Sequence, residues 1–309
     1  VDTNSGDTLA GLWDEAVEKN GGEFNNQKIK APYRYLAQKA DYQVVVGNYR
    51  DVNGTNLESG FVFDDGWREV SDIRMDAVYD KYKWSSSTEE LKQRLSSLLP
   101  VVNPLPIERT CKDKLETYRT FPDLVPETRE ATIDNVRDLI DQDGGAVVKP
   151  RFDYGGRGVE VLKSVDGFDP EDGQLVQRFL DLSEGVPGVT ESVHDLRALV
   201  VDGEPVLFLL RTPDTGLISN VLRGASLNRV PEADVPNKVF DIIGRVDSEL
   251  ENHGPRFYTV DLCFDGERFH VLELNSKPGM AFYGDSEIRE WKEPVLDRLN
   301  QLFSTVLDG

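Results

Sequence analysis

The sequence predicts an α+β protein in which an α/β first domain precedes two further α+β units, and three patterns predict it. Apolar residues recur at helical spacing in several segments, short β-type runs lie between them, and two late β-pairs are closed by Asp-Gly turns. The opening region, to about residue 40, reads as helices separated by a Gly21-Gly22 and Asn-rich turn, with no evident first strand. Short β-type runs follow at Gln43 to Val46, Phe61 to Phe63 and Ala77 to Tyr79. Ser87 with Glu90 has the spacing of a capping box, and Leu91, Leu95, Leu98 and Leu99 form the apolar stripe of the helix it would open, stopped by Pro100. This α/β unit is assigned residues 1–107.

A second unit, 108–180, holds a helix with Ile133, Val136, Leu139 and Ile140 on one face, ended by Gly144-Gly145. The strand Ala146 to Lys149, a glycine loop, the strand Val159 to Leu162 and the run Leu175 to Gln177 follow. The third unit, 181–309, is strand-rich. Leu196 to Val201 and Val206 to Leu210 flank an Asp202-Gly203 turn, and Tyr258 to Phe264 and Phe269 to Leu274 flank Asp265-Gly266. A helix from Lys238 to Glu251 carries Val239, Ile242, Ile243, Val246 and Leu250, and an amphipathic helix from Ile288 to Val306 closes the chain.

Charge narrows the function classes. The chain has 32 Asp and 24 Glu against 21 Arg and 14 Lys, a net charge of −21. Such a field repels nucleic acid and anionic membrane surfaces, so neither is an expected partner. No run approaches the roughly 18 apolar residues of a membrane span, and the first 30 residues have no signal-peptide pattern, so the cytoplasm is the expected location. Two distant cysteines, Cys111 and Cys263, make no disulfide framework, and His194, His253 and His270 are scattered in a way that disfavours zinc. Aspartate over glutamate and arginine over lysine is the balance of a halophile's cytosolic protein, with an ordinary acidic enzyme as the alternative.

Three features carry chemistry. Lys149-Pro150-Arg151-Phe152-Asp153-Tyr154-Gly155-Gly156-Arg157-Gly158 puts a lysine at a strand end before a flexible turn, where glycines let backbone N–H groups approach phosphate oxygens. No Gly-Lys-Ser/Thr follows and the next element is a strand, so it is not a P-loop; alone it reads equally as a turn without a ligand. Asp261 lies across a tight antiparallel pair from Glu273 and Asn275, which share one face, and three hard oxygen ligands there suit Mg²⁺. Solvated carboxylates on a β-ribbon are the plainer reading. Asp195-Leu196-Arg197, Arg211 on the partner strand, and Ser219-Asn220 through Arg223-Gly224 supply cations for phosphate or carboxylate, or structural ion pairs.

In their order and spacing these pieces resemble the ATP-grasp ligases, most closely the RimK-type and glutathione-synthetase-type branch. The resemblance rests on Asp113-Lys114-Leu115-Glu116-Thr117, Val148-Lys149-Pro150 with its glycine loop, and Val176-Gln177-Arg178-Phe179-Leu180. Asp195-Leu196-Arg197, Arg211, Asn220, Asp261 and Glu273-Leu274-Asn275-Ser276-Lys277-Pro278-Gly279 complete it. The motifs span about residues 103–284; the first hundred residues match only through Met75-Asp76-Ala77-Val78-Tyr79 and Asn103-Pro104.

The resemblance implies a pre-ATP-grasp domain followed by two ATP-grasp subdomains with ATP between them. Lys114 and Lys149 would grip the α/β-phosphates, Gly155, Gly156, Arg157 and Gly158 would fold over the phosphates, and Gln177, Arg178, Phe179 and Leu180 would read the adenine edge. Asp195 aligns with a nucleotide-site residue. Where the family often has an acid this chain has Arg178, so Glu184 or Asp181 would hold the ribose, or no residue does. Asp261, Glu273 and Asn275 would ligate Mg²⁺, for which Mn²⁺ can substitute. Arg211, Asn220 and Arg197 would face the transferring phosphoryl group. The implied reaction activates a small-molecule or peptide carboxylate as an acyl phosphate and passes it to an amine; the oligomeric state is left open, a homodimer and a homotetramer both being compatible. A kinase that stops at a phosphoester and a nucleotide-binding module without turnover are the rival readings. Lys114, Lys149, Arg157, Arg197, Arg211 and Arg223 provide the local cations that an acidic protein needs for ATP.

Overall fold

The strand Thr8–Trp13 organises the first third of the molecule. It pairs in parallel with Gln43–Asn48 and with Ala77–Asp80, which pairs in parallel with Val101–Val102. Here the sequence reading needs correction, because the opening region is not all helical and does contain a first strand. The computed structural model describes residues 7–13, 19–20, 23–24, 27–153, 156–213, 226–282 and 286–309. Leu9, Ala10 and Leu12 are all fully buried, so the strand is covered on both faces and lacks the alternation that marks a half-buried strand. Gly11 conceals it further, since a Cβ there would meet the Tyr33 ring at 2.3 Å. The helix Gln27–Lys39 lies over this sheet through Ile29, Tyr33 and Leu36. At the far edge Gly66–Arg74 pairs antiparallel with Asn56–Asp64.

The capping box does not form. The helix Glu89–Leu98 begins after Thr88, whose hydroxyl accepts from the Ser85 N–H at 2.9 Å and donates to the Lys83 carbonyl at 2.8 Å. Leu98, placed in the apolar stripe by its spacing, is half exposed, while Lys92 is buried beside Leu95. Lys92 faces inward because two carboxylates await it there, Asp80 at 2.5 Å and Glu108 at 2.8 Å.

Two antiparallel sheets follow. One has the order Thr128–Glu130, Gln174–Arg178, Ala146–Pro150, Glu160–Leu162, with the helix Ile133–Asp143 packed on it through Val136 and Leu139. That helix is capped by Thr132 and ends at Gly144 in the left-handed region, φ 70°. The other sheet has the order Ser226–Val230, Glu204–Thr212, Asp195–Val201, Phe257–Phe264, Phe269–Asn275.

This last sheet is the centre of the molecule because both of its faces are covered. Leu196, Ala198, Val200 and Leu262 pack against the helix Asn237–Leu250. Leu199, Val201, Leu209 and Phe257 join a core shared with the first sheet and with the helix Ser286–Asp308. That closing helix bridges the ends of the chain. Tyr35 donates to Asp297 at 2.8 Å and Tyr42 donates to Asn300 at 2.5 Å. Buried Asn103 adds a second tie, donating to the carbonyls of Phe257 (2.7 Å) and Ser276 (2.5 Å) while accepting from the Phe257 N–H (2.6 Å). Among the described residues no helix is long and apolar enough to cross a membrane.

Candidate active site

Polar side chains collect at one end of the last sheet, and strand register explains why. Asp195 stands opposite Arg211, Arg197 opposite Asp261, and Asp261 opposite Glu273. Residues opposite each other in an antiparallel pair share a face, so four neighbouring strands bring these groups to one place. Arg197 forks onto Asp261 with bonds of 2.7 and 2.6 Å, and Arg211 reaches the same carboxylate at 2.7 Å and also bonds Asp195. Burial would raise the Asp261 carboxyl, but Arg197 and Arg211 outweigh it and hold the group at about 2. Asp195 is shifted the other way, to about 7, by burial and by the neighbouring Asp261 charge. The Nε of Arg211 and the Oδ1 of Asp195 are buried without a hydrogen-bond partner among the described residues. The cluster therefore has unused donor and acceptor capacity.

Glu273 and Asn275 line a cavity of about 270 Å³ between this sheet, the first sheet and the glycine loop. Glu273 lies 3.5 Å from the Lys114 ammonium, and Asn275 accepts from the Lys277 N–H at 2.9 Å. Asp261 is deeper, with both carboxylate oxygens engaged by guanidinium groups. Two carboxylates and an amide oxygen are hard donors that suit Mg²⁺. Glu273 and Asn275 face the cavity, whereas a cation would share Asp261 with its arginines. Among the described residues no cluster of three or more His, Cys, Asp and Glu forms an all-protein metal cage.

On the neighbouring sheet Lys149 is buried, its ammonium donating to the Gln177 amide oxygen at 2.8 Å. Burial first, then the charge of Lys114, pushes Lys149 down to about 7. Gln177 is fixed in turn by donating to Thr128 at 2.8 Å. Its side chain thus has a task the sequence did not suggest, since only its strand was expected to read adenine. Lys114 opens the helix Lys114–Thr120, capped by Asp113, and its ammonium bonds the Asp153 carbonyl of the glycine loop. Asp113 also takes a bidentate bond from Arg151, at 2.7 and 2.6 Å, which ties the loop to that helix.

Gly156 and Gly158 have φ of 68° and 64°, a conformation that favours glycine, and a Cβ on Gly158 would press on Pro150 at 2.9 Å. Arg157 is exposed and pairs with Asp153 at 2.6 Å. Arg178 is held by Asp143 at 2.9 Å, so the basic residue that departs from the family pattern has a local carboxylate. Phe179 packs near Gly145, Leu180 is half-buried, and Glu184 is exposed beside Gly266. Asp181 is exposed as well and accepts from the Ser183 N–H. Gly155, Asn220 and Arg223 lie outside the described residues.

Sequence reasoning missed a buried ionic group beneath the cavity. Lys277 pairs with Asp80 (3.0 Å) and Glu108 (3.3 Å), the same two carboxylates that hold Lys92. A lysine within an otherwise apolar helical stripe, Lys92, was the available signal.

The model of the prokaryotic glutathione synthetase ATP-grasp domain matches residues 113–276, more than half of the chain and the segment that carries these groups. The chain belongs to the ATP-grasp family. Tetrahydromethanopterin:alpha-L-glutamate ligase of Methanocaldococcus jannaschii is 23% identical over 257 residues, covering 79% of this chain and 85% of that protein. The glutathione synthetase of Yersinia pestis is 33% identical over 185 residues, 57% of this chain. The match spans 55% of the Yersinia protein, about half its length. The solved structure of the ATP-grasp ligase PsnB, complexed with a phosphomimetic variant of its minimal precursor, Mg and ADP, superposes with a TM-score of 0.61. It does so at 13% identity and covers 99% of each chain, a likeness of fold.

Proposed function

We propose that this ATP-grasp protein is an ATP- and Mg²⁺-dependent carboxylate–amine ligase that works through an acyl phosphate. The observation that carries the reading is the convergence of Lys149 and Lys114 on Glu273, which lines the cavity and stands opposite Asp261 of the Arg211–Asp195–Asp261–Arg197 cluster. ATP lies between the unit holding Ala146–Pro150 and the unit holding Asp195–Val201, with 108–180 and 181–309 as its two ATP-grasp subdomains. Lys149 and Lys114 hold its phosphates, and the turn from Gly156 to Gly158 offers backbone N–H groups to them. Glu273, Asn275 and Asp261 are the residues that would hold Mg²⁺, which would supply charge neutralisation for the phosphates.

A carboxylate oxygen of the acid attacks the γ-phosphorus, the β–γ bridging bond breaks, and ADP departs. The amine then attacks the acyl carbon, phosphate leaves with the former carboxylate oxygen, and the amine's proton is released. Arg211 stabilises charge on the transferring phosphoryl group through its unused Nε–H, and Asp195 and Asp261 fix its orientation. No side-chain nucleophile is needed, and the chain offers only two buried cysteines as thiols. The named relatives favour an amino-acid or peptide substrate, including glutamate as one partner. We place the reaction in the cytoplasm.

Hydroxylamine added to enzyme, ATP, Mg²⁺ and a panel of acids should trap a hydroxamate, because the acyl phosphate exists before the amine arrives. A stable phosphoester without hydroxamate would make this a kinase. Nucleotide binding without ADP release across the panel would make it a binding module.

A further inference from the structure

Lys81 has no task in the reaction just described, yet it sits in the same cavity as Glu273 and Asn275. It follows the strand Ala77–Asp80 and is only 7% exposed. Its ammonium donates to the Pro278 carbonyl at 2.9 Å, on the turn that continues from Asn275, and lies 5.6 and 5.1 Å from the ring centroids of Trp13 and Tyr79. Among the described residues it forms no ion pair, because the nearby carboxylates are taken. Lys92 and Lys277 together occupy Asp80 and Glu108. An ammonium has three donors, and burying one with a single carbonyl acceptor is costly unless a counter-charge arrives.

We propose that Lys81 anchors a second negative group of the acid substrate, so that the cavity selects small acids bearing two anionic groups. One group binds Lys81 and the other lies beside Glu273 and Asn275, where it is phosphorylated. The inference rests on the ligase reading of this site. Trp13, Ile29 and Phe152 give the cavity an apolar lining suited to the carbon chain between the two groups. A volume of about 270 Å³ suits an amino-acid-sized acid or the terminal residue of a peptide.

The surrounding charges leave this assignment intact. Lys83 precedes the helix Glu89–Leu98, and Glu108 and Lys112 come from the helix Leu105–Lys112. Lys112 donates to the Trp84 carbonyl, and Glu108 is held by Lys92 and Lys277. Asp153 of the glycine loop pairs with Arg157 at 2.6 Å, and Glu273 has Lys114 at 3.5 Å. Burial, then the neighbouring Lys277 charge, lowers Lys81 to about 7. Above that pH an arriving anion recharges it by drawing in a proton.

The test is calorimetry on the full chain with Mg²⁺ and ADP, comparing glutarate with its monoamide glutaramate, which has the same size and one charge fewer. Glutarate should bind roughly 10- to 100-fold more tightly at pH 7, the range for one charge-assisted hydrogen bond. At pH 8 its binding should take up a proton, read from two buffers of different ionisation enthalpy. Lys81→Met should lose both the preference and the proton uptake, with ADP affinity unchanged. Lys81→Arg should keep the preference and lose the uptake, since a guanidinium stays charged throughout. Equal binding of the two acids by the wild-type protein overturns the proposal, and so does proton uptake that persists in Lys81→Arg. Should Lys81→Met not fold, those two arms still decide. Glutarate preference and uptake without any hydroxamate would fault the ligase reading and leave this anion site standing.

Discussion

Lys149 is the residue whose removal tests the nucleotide site most sharply. A free lysine titrates near 10.4, whereas this one is brought to about 7 by burial and by Lys114, with the neutral Gln177 amide as its hydrogen-bond partner. Above pH 7 the phosphates must therefore recharge it, which costs about 1.4 kcal/mol, or tenfold in affinity, for each pH unit. The Kd for ADP should rise about 50-fold between pH 7 and 9, a range in which the terminal phosphate, with a second pKa of about 6, stays ionised. Lys149→Met should weaken ADP binding at pH 7 and flatten the profile. Gln177→Glu would give the ammonium a carboxylate partner and move the rise to higher pH. Stability carries the same signature. The folded value lies below the unfolded one, so the unfolded chain binds more protons between about pH 7 and 10, and the penalty that Lys149 imposes on the fold shrinks as pH rises through that window. Titration calorimetry from pH 6.5 to 9 reads the first effect and thermal unfolding the second. A flat wild-type profile, or a slope that survives in Lys149→Met, would refute the assignment of Lys149 to the phosphates.

Other perturbations separate the remaining roles. Glu273→Gln should abolish ADP production while the thermal midpoint stays near that of the wild type, since this half-open carboxylate has only a 3.5 Å contact with Lys114; near-normal turnover would remove it from the Mg²⁺ site. Asp261→Asn should also abolish turnover but lower the midpoint, because Arg197 and Arg211 lose their shared counter-charge. Arg211→Ala should depress kcat on the order of 100- to 1000-fold with little change in ATP affinity, and a loss confined to ATP binding would argue against a role at the phosphoryl group. If the net charge of −21 is a halophilic adaptation, the thermal midpoint should rise from low to molar KCl, and a flat or falling midpoint would favour an ordinary acidic enzyme.

What the sequence disclosed depended on how far each signal was local. The pair Phe257–Phe264 and Phe269–Asn275 was legible because its turn, alternation and length all lie within about 20 residues. The facing of Asp261 and Glu273 was not: an unbroken register would set Asp261 opposite Leu272, and a bulge between Asp261 and Leu262 brings Glu273 there instead. The strand Thr8–Trp13 was not legible, because its neighbours come from Gln43–Asn48 and Ala77–Asp80 and no local alternation marks a strand buried on both faces. Lys81 and Lys92 escaped for a related reason. Nothing near Lys92 in sequence shows that Asp80 and Glu108 converge on it, and spacing alone put Leu98 in the stripe where a lysine is buried.

The buried lysines of this acidic chain divide into two kinds, and the division follows their partners. Lys92 and Lys277 each hold Asp80 and Glu108 and stitch the first sheet to the Asn275–Gly279 turn. Lys277 is raised from its ordinary value; burial pulls it down, but Asp80 and Glu108 outweigh that. Lys149 and Lys81 have only an amide and a carbonyl oxygen as acceptors, and both are brought to about 7. A buried lysine that can shed its proton avoids most of the cost of an uncompensated charge before substrates bind. When an anion arrives the proton returns, and part of the binding energy is spent on that recharging. In a protein of net charge −21 this keeps cationic capacity at the cavity without a carboxylate beside each lysine to compete with phosphate. The two kinds should separate on mutation. Lys92→Met leaves two buried carboxylates with Lys277 alone, so it should lower the thermal midpoint by several degrees, with ADP affinity unchanged in whatever fraction is folded. Lys149→Met removes no ion pair and lifts a burial penalty that is greatest at and below pH 7, so it should hold or raise the midpoint near pH 7 while weakening ADP. If Lys149→Met proved the more destabilising of the two, partner identity would not be what sorts these lysines.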